Sequence, residues 1–453
     1  MLALTPPVTA ISAAAQPSET AAWLEAYRQP ASRLIGAALA GHAAWRRLAD
    51  LTDTVGNRLS GSERLDRAIA WAVANLKKDG LENVHTEPVM VPHWVRGHEE
   101  AAIVAPAPHH LAMLGLGGSI ATPPAGLEAE AIVVRNFGEL DARAGQVDGR
   151  IVVFNEPYEG YGQTVQYRVD GASRAARHGA VAVLVRSVGL AGLRTPHTGY
   201  LTYAADAPKI PAAAIAAEDA DRLQRMQDRG EHLVVQLKME ARMLPDVPSA
   251  NVVAELRGRE RPEEIVVVSG HLDSWDVGDG ASDDGGGCIV TWEALRLMNE
   301  LGLRPRRTVR LVLWTNEENG TRGGLAYREQ HRQELAHHVL MLESDSGVFA
   351  PRGVGFTGSD RSRRVVQEIA SLLRGIGADE VGIRGGGADV DPSADAAGIP
   401  TMSLDVDDSR YFLIHHTEAD TIDKIDPSDM ARCVAVVAVM AYVVADMPGR
   451  LER

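Results

Sequence analysis

Histidine and acidic residues gather in four short clusters in the second half of the chain. In order, they are His271-Leu272-Asp273 with the glycine-rich turn 280–287, then Glu317-Glu318, then 343–347 and 415–421. Imidazole nitrogens and carboxylate oxygens are the ligands that zinc takes in catalytic sites. Each cluster alone is also typical of an ordinary polar loop. Together, the four clusters indicate a site for two metal ions.

Two of the clusters contain neighbouring groups that can divide the work of a metal site. Asp273 lies two residues after His271, so in an extended segment its carboxylate can bond the ring nitrogen that is not on metal. Glu317 and Glu318 follow a hydrophobic strand, where two adjacent acids are costly unless they are paired or bind metal. Because successive side chains point apart, one acid can bind metal while the other faces a substrate.

Three of the clusters follow predicted buried strands, and the fourth precedes a predicted closing helix. Strands are predicted at 264–269, 308–314, 339–342 and 400–404, with helices at 288–301 and 426–447. Strands that alternate with helices predict an α/β sandwich with a largely parallel sheet. Because ligands of such sheets bind beyond the carboxyl ends of the strands, the clusters lie where a site is expected.

The segment 115–243 differs from the rest of the chain in the motifs that it carries. Short strands and helices alternate there too, but no acid–histidine cluster occurs at catalytic spacing. We therefore predict an inserted domain at 115–243. Residues 1–114 would then form a helical lead-in to the catalytic domain, and 244–453 its di-metal part.

Length and composition restrict the function as well. The chain has 453 residues, which exceeds the roughly 250–300 residues of one ordinary core. Its 46 basic and 61 acidic residues give a net charge of −15, which argues against binding to nucleic acid or to anionic membranes. The only cysteines are Cys288 and Cys433, so a metal site must be built from His, Asp and Glu.

No apolar run approaches the roughly 20 residues of a membrane-spanning helix. The longest run, 433–444, has 12 residues and favours a buried core helix. The N-terminal residues 1–16 are apolar and end in small side chains, but they lack a basic start and contain two adjacent prolines. They are typical of either a frayed tail or a truncated signal peptide.

The order of these motifs resembles one known family. H-x-D, G-A-x-D-D, E-E, S-D and H-T-x-x-D follow one another as in the co-catalytic di-zinc aminopeptidases, a family that also contains glutamate carboxypeptidases. The resemblance covers nearly the whole chain and is carried by HLDSWDVGDGASDDGGG, WTNEENGTRGG and LESDSG. It implies a three-layer α/β/α sandwich with a mostly parallel mixed sheet, and a protease-associated domain at 115–243. It also implies a homodimer and favours an exported protein, periplasmic or secreted, while a cytoplasmic location stays open.

The same resemblance implies two Zn²⁺ per chain and a ligand for each position. The first ion would be held by His271, Asp283 and Asp345. The second would be held by Glu318, His416 and again Asp283, which would bridge the two ions.

Further roles follow from the resemblance. Glu317 would be the general base, and Asp273 and Asp420 would orient the groups around the metals. In this family the peptide bond after the bridging aspartate is often cis, which would place it between Asp283 and Asp284.

The chain departs from the family pattern near the expected substrate pocket. His415 stands where a tyrosine commonly precedes the ligand histidine, and the glycine-rich loop 385–392 lacks the Ser-Asp-His of many relatives, so the oxyanion donor is unassigned. Within that loop, Asp389 or Asp391 could meet a free substrate ammonium, although a solvated loop explains both acids equally well.

Trp275 and Asp276 follow the first metal motif directly. They would either line the pocket or pack beneath it.

The resemblance implies a peptidase that hydrolyses dipeptides or short peptides from a free end. A water that bridges the two metals would attack the scissile carbonyl while Glu317 takes its proton. Three alternatives stay open: an aminopeptidase of the same family that acts on longer peptides, a single-zinc acyl transferase similar to glutaminyl cyclase, and a non-catalytic binding relative.

Overall fold

A computed structural model describes residues 22–453, in which strands and helices alternate. The N-terminal tail discussed above, 1–16, lies outside these described residues. The strands are β1 (Glu82–Val95), β2 (Glu99–Ala105), β3 (His109–Leu111), β4 (Met113–Gly115), β5 (Leu127–Val134), β6 (Ile151–Phe154), β7 (Ala182–Arg186), β8 (Ala212–Ile215), β9 (Val234–Met239), β10 (Arg242–Leu256), β11 (Arg261–His271), β12 (Arg307–Trp314), β13 (His338–Glu343), β14 (Pro351–Thr357), β15 (Glu380–Gly382) and β16 (Thr401–Val406).

Helices connect most of these strands. The α-helices are α1 (Glu25–Leu39), α2 (Ala43–Thr54), α3 (Glu63–Lys78), α4 (Phe137–Ala142), α5 (Tyr161–Ala176), α6 (Ala217–Asp228), α7 (Gly286–Glu300), α8 (Arg322–Gln330), α9 (Asp360–Ala370), α10 (Asp391–Ala397), α11 (Tyr411–Ile414) and α12 (Pro427–Asp446). The four strands and two helices predicted for the second half of the chain all form, with ends shifted by a few residues.

The first sheet carries the predicted chemistry. Its eight strands follow the order β1-β10-β12-β11-β13-β16-β14-β15. The central strands β12, β11, β13 and β16 pair in parallel, whereas β1, β10 and β14 are antiparallel to their inner neighbours. The sheet is therefore mixed with a parallel centre, and the carboxyl ends of β11, β12 and β13 meet at one edge.

Alternate residues of the central strands enter two separate cores. Val266 and Val268 of β11 pack with α1, α2, α3, α7 and α12. Ile265 and Val267 point the other way, into a core that Tyr327 of α8 and Ala394 of α10 help to complete. Because successive side chains of a strand point to opposite faces, helices cover both faces and the α/β fold has three layers.

The apolar run 433–444 lies in α12, as predicted. Of the helices in residues 22–453, α12 is the one long and apolar enough to cross a membrane by length and composition. Nearly all its residues are buried inside the protein, against α1 and α7 among others. Core packing therefore accounts for its apolar character.

A second sheet is built from residues 99–239. Its order is β3-β2-β9-β5-β6-β7-β8-β4, and α4, α5 and α6 belong to it. The strands β2, β3 and β4 thus lie before the boundary predicted at 115. The sequence 101–105 is apolar, but β2 belongs to the second sheet through its pairing with β9, from Glu99↔Met239 onwards, which no local pattern reveals. We call residues 99–239 the inserted unit; its identity as a protease-associated domain stays a prediction.

Two paired strands connect the inserted unit to the first sheet. β1 leads into it and β10 leads out of it, and the two strands pair antiparallel from Glu82↔Glu255 to Val95↔Arg242. The unit therefore occupies the place of a hairpin loop at the edge of the first sheet.

A polar network fastens β1 to the end of α8. His331 Nε2 lies 2.8 Å from Glu87 Oε1, and its Nδ1 lies 2.8 Å from Glu334 Oε2. Carboxylates can only accept, so the ring satisfies both contacts as an imidazolium. Burial lowers the pKa of His331, but the two carboxylates outweigh it and the pKa is raised overall.

This network predicts a pH-dependent part of the folding stability. Because the folded pKa of His331 lies above the unfolded value, the stabilisation is complete below the unfolded pKa, about 6.5, and is lost as pH rises through the folded pKa. The unfolding free energy of His331→Gln should therefore fall below wild type most at about pH 6 and approach it at about pH 9. Urea unfolding at both pH values measures this. His337→Gln, at an exposed neighbouring histidine, should show no such difference, and a pH-independent loss for His331→Gln would contradict the prediction.

Candidate metal centre

Two histidines and three acids converge where β11, β12 and β13 end. His271 is the last residue of β11, Glu318 follows β12, and Asp345 follows β13. Asp283 lies in the helical turn before α7, and His416 follows α11. The structure thus brings together all five residues that the sequence predicts as ligands.

The Asp283 carboxylate lies between the two histidines. Its Oδ1 is 3.2 Å from His271 Nε2 and its Oδ2 is 3.2 Å from His416 Nε2. Asp345 Oδ1 is 3.4 Å from His271 Nε2, and Glu318 Oε2 is 3.1 Å from His416 Nε2. Two groups of donor atoms therefore share Asp283, which is the arrangement that a bridging ligand requires.

The chain around Asp283 has an unusual backbone. The peptide bond between Asp283 and Asp284 is cis, as the resemblance implies. The Asp284 carboxylate accepts from the backbone N–H groups of His271 at 2.9 Å and Gly287 at 3.1 Å. These bonds connect the end of β11 to the start of α7, so Asp284 supports the site without facing it.

The donor set fits zinc. Asp283, Glu317, Glu318 and Asp345 form no ion pair with lysine or arginine within residues 22–453; their charged partners there are histidines. In the same part of the chain, Asp283 Oδ2, Glu318 Oε1 and His271 Nε2 are buried and lack a well-formed hydrogen bond. Buried charges and unpaired polar atoms are costly, and a cation that binds nitrogen and oxygen removes both costs.

Burial and mutual repulsion shift the pKa values of these acids. Burial raises the pKa of Glu317 well above its usual range and that of Glu318 to about 7. Burial acts in the same direction on Asp283, but its contacts with His271 and His416 hold its pKa well below the usual range. Of these three acids, Asp283 is the one whose pKa is lowered, which favours the charged form that a bridging ligand needs.

The structure corrects the role predicted for the Asp273 carboxylate. The His271 Nδ1 lies 3.0 Å from the backbone oxygen of Asp273 rather than bonding its carboxylate. The carboxylate instead accepts from the backbone N–H of Glu317 at 3.1 Å and of Glu318 at 3.4 Å, and from the Ser60 hydroxyl at 3.1 Å. Asp273 therefore holds the two glutamates in place.

Two further buried residues brace the ligand segments. Asp420 accepts from the backbone N–H of Ser282 at 2.7 Å and of Asp283 at 3.1 Å, so it orients the bridging residue. Arg58 donates to the backbone oxygens of Leu272 at 2.7 Å and Gly280 at 2.8 Å. Sequence reasoning missed Arg58, because its partners are backbone groups more than 200 positions away.

Four residues predicted as substrate contacts do not line the cavity at the metal centre: Asp389, Asp391, Trp275 and Asp276. Asp389 is fully buried and accepts from the Gly324 N–H at 3.1 Å, and Asp391 lines a neighbouring cavity of about 650 Å³.

The Trp275 ring packs beneath His416 with centroids 5.7 Å apart. Asp276 pairs with Arg96, with a 2.8 Å contact to its Nε. Of the two alternatives predicted for this pair, packing beneath the site therefore holds for both residues.

The cavity at the metal centre has a volume of about 590 Å³. Its lining includes Glu317, Asp345 and Tyr411 from the catalytic part and Tyr161 and Arg168 from the inserted unit. Burial raises the pKa of Tyr411 well above its usual range, so its hydroxyl is a neutral donor at the wall. Both parts of the chain therefore form the site.

His415, which stands where the family commonly has a tyrosine, lies at the metal centre itself. Its Nε2 is 3.5 Å from Asp283 Oδ2, and its ring stacks on that of His416 with centroids 3.6 Å apart. Donor atoms of Asp283, His415 and His416 lie within 4.8 Å of one another, as do those of His271, Asp283 and Asp345. His415 is thus a further residue that could contact a metal.

The position of Asp283 predicts that Asp283→Asn loses metal and activity together. The amide of asparagine carries no charge and offers one good ligand oxygen instead of two, so neither ion would keep its bridge. Metal analysis after dialysis measures this, with Asp423→Asn, an exposed acid, as the control that keeps its metal. Two metal ions per chain in Asp283→Asn would show that Asp283 is not the bridge.

Comparison with known proteins places these observations in context. Residues 251–441 match the model of peptidase family M28. Carboxypeptidase Q of Mus musculus is 49% identical over 94% of this chain and 91% of its own length, and that of Homo sapiens is 49% identical over 93% and 90%.

Solved structures agree with the sequence matches. A peptidase M28 precursor from Shewanella amazonensis superimposes with a TM-score of 0.92 at 37% identity, over 95% of this chain and 99% of the other. A zinc aminopeptidase from Bacillus subtilis shares the fold, with a TM-score of 0.67 at 19% identity over 90% and 96% of the two chains.

Proposed function

Because the chain belongs to peptidase family M28, we propose that it is a di-zinc exopeptidase that hydrolyses dipeptides or short peptides from a free end. The observation that carries this proposal is the Asp283 carboxylate, whose two oxygens each lie 3.2 Å from a different histidine. The family and its carboxypeptidase Q relatives make the chain a metallo-exopeptidase. The two zinc ions, the residue roles and the substrate are the proposed part.

The ligand roles follow from the contacts. His271, Asp283 and Asp345 would hold one zinc ion, and Asp283, Glu318 and His416 the other. Bound zinc supplies a Lewis acid that polarises a carbonyl oxygen and lowers the pKa of coordinated water.

Glu317 is placed to move the proton. It lines the cavity, its Oε2 lies 4.0 Å from His271 Nε2, and its backbone N–H is held by Asp273. Its neighbour Glu318 points towards His416 instead. We assign Glu317 as the base that takes the proton of the attacking water and delivers it to the leaving amine.

The cavity wall suits a short peptide with charged ends. Arg352 and Arg384 line it together with Asp405 and Asp408, so both a carboxylate and an ammonium find a partner of opposite charge. The volume of about 590 Å³ falls within the range of sites for small ligands. The family resemblance also implies that the protein is a homodimer and that the inserted unit is a protease-associated domain, and both are part of the proposal.

Replacing the base should separate catalysis from metal binding. Glu317→Gln should keep its zinc and lose roughly 10²–10⁴ in kcat, the usual contribution of a positioned base. Glu318→Gln, the adjacent matched variant, should lose metal as well as activity. Steady-state kinetics with metal analysis measures both, and wild-type turnover in fully loaded Glu317→Gln would refute the assignment.

A peptide panel tests the substrate class. An unblocked dipeptide should be hydrolysed to free amino acids, chelator should abolish the reaction, and added zinc should restore it. The comparisons are the N-acetylated dipeptide, the C-terminally amidated dipeptide and a pentapeptide. If blocking one end of the dipeptide abolishes hydrolysis and blocking the other does not, the enzyme recognises the first end.

Preference for the pentapeptide would instead favour the aminopeptidase alternative. Cyclisation of an N-terminal glutamine without hydrolysis would favour the acyl transferase, and no reaction with any peptide would contradict the proposal.

A further inference from the structure

We infer that the inserted unit is a working part of the metal centre, because the backbone of Thr198 positions His416. Thr198 belongs to the inserted unit, between β7 and β8, whereas His416 follows α11 in the catalytic part. The inference rests on the ligand role proposed for His416. It adds that one of the two zinc ions depends on a contact between the two parts of the chain.

The contact runs in both directions. The Thr198 N–H donates to the His416 backbone oxygen at 2.9 Å, and the Thr198 backbone oxygen lies 3.3 Å from His416 Nδ1. A carbonyl oxygen can only accept, so this second contact requires a proton on Nδ1. The lone pair of Nε2 is then left to face Asp283 and Glu318, as a metal ligand needs.

Arg168 does not reverse this assignment. Its Nη1 lies 3.4 Å from His416 Nδ1 and equally 3.4 Å from the Thr198 oxygen. A guanidinium can only donate, and an imidazole whose Nε2 binds metal has no free acceptor on Nδ1 unless it loses both protons. The Thr198 oxygen therefore serves both donors, and Arg168 braces it.

The backbone of His416 needs an external support. Its φ is +60°, in the left-handed region that a residue with a Cβ adopts only at a cost. Strained conformations of this kind persist when surrounding contacts hold them. The bond from the Thr198 N–H to the His416 oxygen is such a contact, and it comes from the inserted unit.

The segment that carries Thr198 is fastened on both sides. The Leu190 N–H donates to the Phe412 backbone oxygen at 2.9 Å, which ties the segment to α11. The Thr198 hydroxyl donates to the Gly115 backbone oxygen at 2.8 Å, which ties it to the second sheet. The Tyr161 ring of α5 stacks on Phe412 with centroids 5.4 Å apart. A shift of the inserted unit would therefore move residues 412–416.

The other histidine has no such dependence. The Nδ1 of His271 lies 3.0 Å from the oxygen of Asp273, two residues further along the same segment. The first metal position is thus held within the catalytic part, and the second is held across the boundary. This asymmetry makes the inference testable, since general destabilisation would weaken both positions alike.

Two variants loosen the contact by different means. Thr198→Pro removes the N–H that bonds His416. Gly189→Ala would place a Cβ 2.2 Å from the His197 ring and 2.7 Å from the Phe412 oxygen, so the segment must move away from α11. Gly145→Ala is the matched control in the inserted unit, because a Cβ there meets nothing within 4 Å. Thr198→Val keeps the N–H but removes the hydroxyl bond to Gly115, so it should weaken the same ion less than Thr198→Pro does.

The measurement is metal binding by the full chain, with Zn²⁺ alone in chelator buffers and Co²⁺ absorption spectra as a second readout. Wild type and Gly145→Ala should bind two ions per chain. Gly189→Ala and Thr198→Pro should keep one ion at wild-type affinity and bind the other about 10–100-fold more weakly, as for loss of a group that orients a ligand. The cobalt spectrum should change for one ion only.

Three results would overturn the inference. Unchanged binding of both ions, or equal weakening of both, in variants that keep wild-type circular dichroism would show that Thr198 does not position His416. In the first case the proposed function would stand. Fewer than two ions bound by wild type would instead refute the proposed metal centre itself, and this inference with it.

Discussion

The cost of bringing four carboxylates into one partly buried place governs the rest of the structure. Asp283, Glu317, Glu318 and Asp345 would repel one another without cations between them, so the segments that carry them must be held in place by other contacts. Three neighbouring carboxylates hold the segments around the site by accepting from their backbone N–H groups: Asp273, Asp284 and Asp420. Rigid hydrogen bonds of this kind keep the donor atoms at ligand distance before any ion arrives.

The parallel centre of the first sheet makes this arrangement attainable. Because β11, β12 and β13 run the same way, their ends deliver His271, Glu318 and Asp345 to one edge. The two remaining ligands come from loops outside the sheet: Asp283 before α7 and His416 after α11. Both loop-borne ligands are supported by residues far along the chain, Asp420 in one case and Thr198 in the other.

The parts of this protein that sequence analysis predicts are those with a local pattern. Buried strands that end in His or acid residues mark the sheet edge and three of the candidate ligands, His271, Glu318 and Asp345. The ligand roles themselves, and the two ligands outside the sheet, are predicted from the order of the motifs and the family that it resembles. The supporting contacts have no such pattern, because Arg58 and Thr198 act on or through backbone groups, which every residue carries. Asp273 illustrates the limit: its place near the site is predictable, but its true partners, the Glu317 and Glu318 N–H groups, are not. The start of the inserted unit was missed for a related reason: β2 joins the second sheet by pairing with β9, far along the chain.

The pairing of β1 with β10 also limits the entropic cost of carrying the inserted unit. Closing a flexible loop costs about (3/2)RT ln n, so extending a hairpin loop from about 10 to about 150 residues adds only roughly 2–3 kcal/mol. A whole folded unit can thus be accommodated at this edge with little entropic penalty to the host sheet. Because the inserted unit joins the sheet at its edge, the register of the central strands does not depend on the unit.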